Sequence, residues 1–220
     1  MIYSSDELYE GNYMKTEKID LGTKTLEKLK AYIKDQNLQK GDKLPTEPEL
    51  IKILGVGRST VRESVKILAY SGVVEVKQGS GTYLTGEQTQ SIDNIKLRHT
   101  EKMLEYEAIK ELINNDITDQ QWLSLKARLG RRNQLLEQGK FSDYLDADIK
   151  FHTMIIQLSQ NEYLTKWYQQ LQPLWKSYLS KLVVKSEEYR GNTELHNQLF
   201  EALINRNQET ALKLIGQVGK

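Results

Sequence analysis

The chain has 220 residues, enough for one large domain or two modest ones; 38% are hydrophobic and 28% charged, which gives material for a core. A mean hydropathy of −0.61 and the lack of any 18-residue apolar run exclude a membrane span. Zero cysteines exclude disulfides, thiolate zinc sites and a thiol nucleophile, and three histidines (His99, His152, His196) leave little for a serine-type triad.

Residues 1–20 carry two Lys against five Asp/Glu, are aperiodic and predict an acidic flexible tail. They have neither the basic nor the apolar region of a signal peptide, so the expectation is a cytoplasmic protein. Residues 21–85 carry eleven Lys/Arg against seven Asp/Glu, a balance that permits nucleic-acid binding without requiring it. A helical period runs from Thr25 to Asp35 through Leu26, Leu29, Tyr32 and Ile33. Thr46 with Glu49 predicts a capping box ahead of a helix burying Leu50, Ile53 and Leu54. Gly55-Val56-Gly57 breaks that helix. Arg58 to Tyr70 resumes one with Val61, Val65, Leu68 and Ala69 inward, and Gly72 stops it. VVEV at 73–76, KQGSG and TYL at 82–84 predict a short β-hairpin. A linker is expected over 86–91. The rest predicts an all-α antiparallel bundle over 92–220, with helices near 92–114, 118–138, 141–159, 162–184, 187–205 and 207–218.

The fold class is therefore mainly α: a winged helix-turn-helix with a β-hairpin wing, then a bundle of about six helices. Helix three starts with Arg58, Ser59, Thr60 and Arg62, and such an end offers unpaired N–H donors and a positive dipole to a phosphate. Its side chains suit the major groove. In the bundle, Asp148 and His152 lie four apart on one helical face, a spacing found in divalent-metal half-sites and also in plain surface or structural pairs. The tryptophans predict core or interface packing; His99 and the Arg128, Arg131, Arg132 cluster predict a solvated surface.

The stretch LPTEPELIKILGVGRSTVRESVKILAYSGVVEVKQGSGTYL, residues 44–84, resembles the DNA-binding domain of GntR-type bacterial transcription regulators. The resemblance rests on Leu44, Pro45, Glu47, Leu50, Val56, Arg58, Val61, Arg62, Leu68, Gly72, Gly79, Gly81 and Thr82. It implies contacts with double-stranded operator DNA from Arg58, Ser59, Thr60 and Arg62 on the recognition helix and from Gln78 and Gly79 on the wing. Two positions depart from the family: Pro48 replaces a frequent Arg, and Gly57 replaces a Ser or Thr.

Residues 92–219 resemble the helical ligand-binding FCD domain of the FadR-like branch. That resemblance implies a metal held by Asp148, His152 and His196, with SQNEYL at 159–164 matching the following helix joint. The family's fourth ligand position falls on Val218, which cannot coordinate, so a divalent ion such as zinc or nickel would be weakly held. The alternative is a metal-free pocket in which both histidines hydrogen-bond the effector. Ungapped counting places Lys102 where the family often carries an Arg for an effector carboxylate. The implied function is a homodimeric transcription regulator, a repressor, controlled by a small organic acid. The rivals are a metal-dependent enzyme on the bundle, for which no general base is evident, and a winged-helix module that binds protein.

Overall fold

The computed structural model describes residues 21–86, 94–185 and 192–218. The expected acidic tail, and the expected linker after its first residue, lie outside the described residues. These divide into two compact units: 21–86 with Gln134–Tyr144, and 94–133 with 145–218.

In the first unit, α1 (21–35) buries Leu26 and Leu29. The sequence Thr46-Glu47-Pro48-Glu49 starts α2 (Glu47–Leu54) as its pattern predicts: the Thr46 N–H donates to Glu49 Oε2 at 2.7 Å, Pro48 occupies the first turn where no donor is needed, and Gly55 ends the helix at φ 67°. Leu50 and Leu54 are buried, but Ile53 is 47% exposed, against the expectation of a three-residue stripe. Eight residues make two turns, and the i, i+4 pair alone faces inward. On α3 (Arg58–Tyr70) the buried residues are Val61, Ser64, Ile67 and Leu68; Val65 and Ala69 are only half-buried, so the inward face is rotated from the one expected. The hairpin follows as β1 (Val74–Lys77) and β2 (Gly81–Leu84), antiparallel, with Val74 opposite Leu84 and Lys77 opposite Gly81. Residues 41–44 run along the other edge of β2, where Leu44 N–H donates to the Thr82 carbonyl (2.8 Å) and Leu84 N–H to the Asp42 carbonyl (2.9 Å). Gly81 has φ 133°, a conformation that side-chain-bearing residues rarely adopt, and the flexible end of Lys43 lies over it. Gln134–Tyr144 completes the unit: Phe141 lies against Gly22, and Glu63 accepts from the Ser142 amide (3.0 Å) and hydroxyl (2.6 Å).

The second unit is built from α4 (Asn94–Asn114), α5 (Asp119–Glu137), α6 (Phe141–Leu158), α7 (Glu162–Lys185), α8 (Asn192–Ile204) and α9 (Gln208–Ile215). The end of α5 and the start of α6 belong to the first unit. A helical period brings Ile109 and Leu112 of α4, Leu125 of α5, Phe151 and Ile155 of α6, Leu199 and Leu203 of α8 and Ala211 of α9 into one core. Trp175 is fully buried and meets Tyr178 edge-on, and Trp122 packs on the core's margin. Trp167 is 52% exposed beside Tyr163 and is no part of this core. His99 is exposed, as expected.

Candidate functional site

Two faces carry the chemistry-bearing residues, one in each unit. In the first, α3 follows Gly57 with no side-chain cap and no acidic residue in its first turn; the Thr60 N–H turns back to the Gly57 carbonyl (3.1 Å), while the first amides of the helix and its positive dipole suit an external anion. Arg58 and Arg62 stand one turn apart with side chains 70% and 64% exposed. Ser59 is exposed, Thr60 half-buried, and Gln78 and Gly79 sit exposed at the hairpin tip. A groove of about 520 Å³ separates α3 from the hairpin, with Val61 and Val65 on one wall and Lys77 and Gln78 on the other. Glu47, from α2, enters this face and meets both arginines: its Oε1 is 3.3 Å from Arg58 Nε and its Oε2 is 3.1 Å from Arg62 Nε.

In the second unit, α6 turns Asp148 and His152 inward in register with Leu145 and Ile155, and α8 turns His196 inward in register with Leu199 and Leu203. All three are buried, and their ligating atoms lie within 4.8 Å of one another. His152 Nε2 is 3.1 Å from His196 Nε2, and His196 Nε2 is 3.3 Å from Asp148 Oδ1. Donors bound at about 2.1 Å to one tetrahedral or octahedral ion are spaced about 3.0–3.4 Å apart, so these two edges fit a divalent cation. Phe151 packs on both imidazoles, with ring centroids at 5.3 and 5.7 Å.

Three further residues shape this cluster: Glu105 and Glu101, which were not singled out in the sequence, and Arg132, which was expected on a solvated surface. Glu105 of α4 is buried with Oε1 2.6 Å from His152 Nδ1, an ion contact out of line for an N–H···O hydrogen bond. A carboxylate there favours a proton on Nδ1 and leaves Nε2 to face His196 and Asp148. Arg132 of α5 is completely buried, which overturns its placement on a solvated face; its Nε donates to Asp148 Oδ1 at 2.6 Å and its Nη1 to Asn133 Oδ1 at 2.8 Å, while Asn133 donates to Asn197 at 2.9 Å. Glu101 lies one turn before Glu105. Both acids fall in register with Leu97, Ala108 and Leu112, and Arg132 with Leu125, Leu129 and Leu136: charged residues on an otherwise apolar helical face were the signal available in the sequence.

The electrostatics follow from burial against partners. Burial alone would raise Asp148, but the Arg132 guanidinium and His196 outweigh it and hold the carboxyl far below the usual range. Burial works against the His152 cation, yet the Glu105 carboxylate pushes its pKa up to about 9. His196 goes the other way, to about 4, because burial and the Arg132 charge both oppose its protonation. Glu101 is pushed well above the carboxylate range by burial and by Glu105. Lys102 points its amine at the Gly216 carbonyl after α9, and Val218 is half-buried on the core, offering no donor.

Among the described residues, no helix is long and apolar enough to cross a membrane. Residues 21–84 match the family described as bacterial regulatory proteins, gntR family, and residues 97–218 match the FCD domain. The Uxu operon regulator of Haemophilus influenzae is 30% identical over 195 residues, covering 80% of this chain and 71% of its own. The Exu regulon transcriptional regulator of Escherichia coli is 27% identical over 191 residues, covering 78% and 70%. The solved structure of Lar, which controls expression of the Listeria monocytogenes agr system, is 24% identical, aligns over 99% of this chain and 94% of that one with a TM-score of 0.51, and shares the fold. The two domain matches and the Haemophilus relative identify the chain as a member of the GntR family of bacterial regulatory proteins, a transcription regulator with an FCD domain.

Proposed function

We propose that this cytoplasmic regulator binds operator DNA as a homodimer and that a small organic acid, received beside the Asp148–His152–His196 cluster, lowers its affinity for the operator. The observation that carries the reading is the buried convergence of an acid and two imidazoles, flanked by Arg132 and Glu105, with ligating atoms within 4.8 Å of one another. Arg132 and Glu105 offset the cost of burying these groups, and the Nε2 atoms of both imidazoles still turn towards one another and towards Asp148, as the ligands of one ion would. Arg58, Ser59, Thr60 and Arg62 contact the major groove, and Gln78 and Gly79 reach the adjacent backbone. One winged helix reads few base pairs, so a second half-site, and hence a second copy, supplies specificity. Relatives described as operon and regulon regulators support control of an operon.

The donor set of Asp148, His152 and His196 fits a divalent ion such as zinc or nickel. Such an ion would anchor an effector carboxylate as a Lewis acid. Arg132 occupies one oxygen of Asp148 and Val218 adds no ligand, which together support a weakly held ion. Glu105 orients His152; Lys102, near the mouth of α9, is the candidate partner for an effector carboxylate. Metal analysis of the purified protein, with anisotropy titration of a selected duplex against a panel of small organic acids, tests the reading. Release of the duplex by an acid in wild type but not in His152→Ala is the expected result; no release by any acid, with or without zinc or nickel, would refute it. Sedimentation of a dimer is expected both free and on DNA.

A further inference from the structure

Glu47 places a carboxylate on the face that meets a polyanion, within ion-pair distance of both exposed arginines of α3. It is dispensable for capping α2, because Thr46 and Glu49 form that box by themselves. Its two oxygens are divided, Oε1 to Arg58 and Oε2 to Arg62, and each contact is made through Nε. An arginine attracted at its Nε edge keeps its terminal amino groups for another partner, and the attraction biases the direction in which its planar fork is presented. Arg58 and Arg62 have side chains 70% and 64% exposed, so no packing fixes them otherwise. The positive end of α2 favours a charged carboxylate at this place.

From this geometry we infer that Glu47 is a positioning residue for DNA recognition: it aligns Arg58 and Arg62 side by side before the groove is entered and so raises operator affinity relative to random DNA. The inference rests on the reading of α3 as the recognition helix. An acid at a DNA-facing surface weakens phosphate attraction, while pre-aligned forks lower the ordering loss on binding a guanine edge. Glu47 therefore acts on specific and random binding in opposite directions, which a purely structural role would not do.

The test uses full-length protein, a duplex selected by wild type from a random pool, and a scrambled duplex of equal composition, at one salt concentration. Glu47→Gln is expected to bind the scrambled duplex as tightly as wild type or tighter and the selected duplex about tenfold more weakly, so the ratio falls about tenfold or more. Glu47→Asp, which keeps the charge on a shorter arm, falls between, and is read the same way if Glu47→Gln does not fold. If Arg62→Ala lowers the ratio but Glu47→Gln and Glu47→Asp leave it within twofold of wild type, the positioning role is refuted while the recognition helix stands. If neither Arg58→Ala nor Arg62→Ala lowers the ratio, the recognition reading fails and the inference fails with it. Equal weakening on both duplexes would mean that Glu47 only supports the fold, and would also overturn it.

Discussion

Each unit contains an arginine–carboxylate contact, and the two differ in nearly every physical respect. Arg62 meets Glu47 at 3.1 Å with its side chain 64% exposed; Arg132 meets Asp148 at 2.6 Å with its side chain fully buried. In water, charge attraction is screened and a pair of this kind is worth about 0–1 kcal/mol, enough to orient the arginine while leaving its terminal amino groups open to a phosphate or guanine. Inside the bundle, the attraction is stronger, but so is the loss from desolvation, and neither charge has anywhere to go if the other leaves. A contact that presents its arginine to a partner is thus placed at the surface, and a contact that ties one helix to another is placed in the core.

The largest test of this contrast removes one member of each pair. Arg132→Met strands the Asp148 charge in the core and should destabilise the protein by about 3–5 kcal/mol, measured by denaturant unfolding; Arg132→Met with Asp148→Leu should recover most of that. Arg62→Ala should leave unfolding within about 0.5 kcal/mol of wild type. Equal losses from the two single substitutions would erase the distinction.

The buried side was also the harder one to read from sequence. Asp148 and His152 were legible as a pair from their i, i+4 spacing, and His196 was added only by the resemblance to the FCD domain. Arg132 was placed on a solvated face and Glu105 was not singled out: their types suggest a surface, and only their register with Leu129 and Ala108 places them inside. Burial of a charge is decided by a partner on another helix, here Asp148 for Arg132 and His152 for Glu105, and no single helix's pattern contains its partner. The first unit was more legible because its determinants are local. The capping box at Thr46, the glycine at 55 and the hairpin at 78–81 each act within a few residues. Its errors were the flanks of helical faces, Ile53 and Val65, where one residue of rotation decides exposure.

The two imidazoles sharpen the contrast through pH. In chelator-treated protein, His152 is surrounded by Glu105 and Glu101 from α4, Asp148 on its own helix and His196 from α8, with Arg132 of α5 beyond Asp148. Its folded pKa near 9 exceeds the unfolded 6.5, so its contribution is complete below about pH 6.5 and is lost as pH rises through 9. His196 is lowered to about 4, so the unfolded chain takes up a proton first as pH falls from 6.5, and stability declines towards pH 4. Thermal melting in chelator should therefore peak near pH 6.5, with each limb worth on the order of 2–3 kcal/mol. His152→Gln should flatten the alkaline limb alone. An alkaline limb that persists in that variant would assign it elsewhere.

On the DNA side the expected effects are smaller and fall on binding rather than folding. Arg58→Ala and Arg62→Ala should each weaken binding to a selected duplex by about 1–3 kcal/mol if the contact is bidentate, with unfolding unchanged. Wild-type affinity in both variants at the same salt would remove α3 from the interface.

The smallest effect concerns how α2 and α3 begin. α2 has a side-chain capping box and acids at Glu47 and Glu49; α3 has Gly57 as its cap, no acid in the first turn and Arg58 at its first position. Gly57 has φ −69° and ψ 160°, which any residue adopts, and a Cβ there would meet nothing within 4 Å. Glycine is therefore not required by the backbone. A serine at this position could accept from the N–H of Ser59 or Thr60, and serine caps exceed glycine caps by only a few tenths of a kcal/mol. Gly57→Ser should accordingly raise the melting temperature by about 1–2 °C. The same hydroxyl would stand where α3 meets a phosphate, so affinity for a scrambled duplex should hold or rise slightly. A lower melting temperature would mean that the start of α3 is already satisfied by its own backbone turn, in which Thr60 N–H donates to the Gly57 carbonyl at 3.1 Å, and that the uncapped end is not held in reserve for DNA.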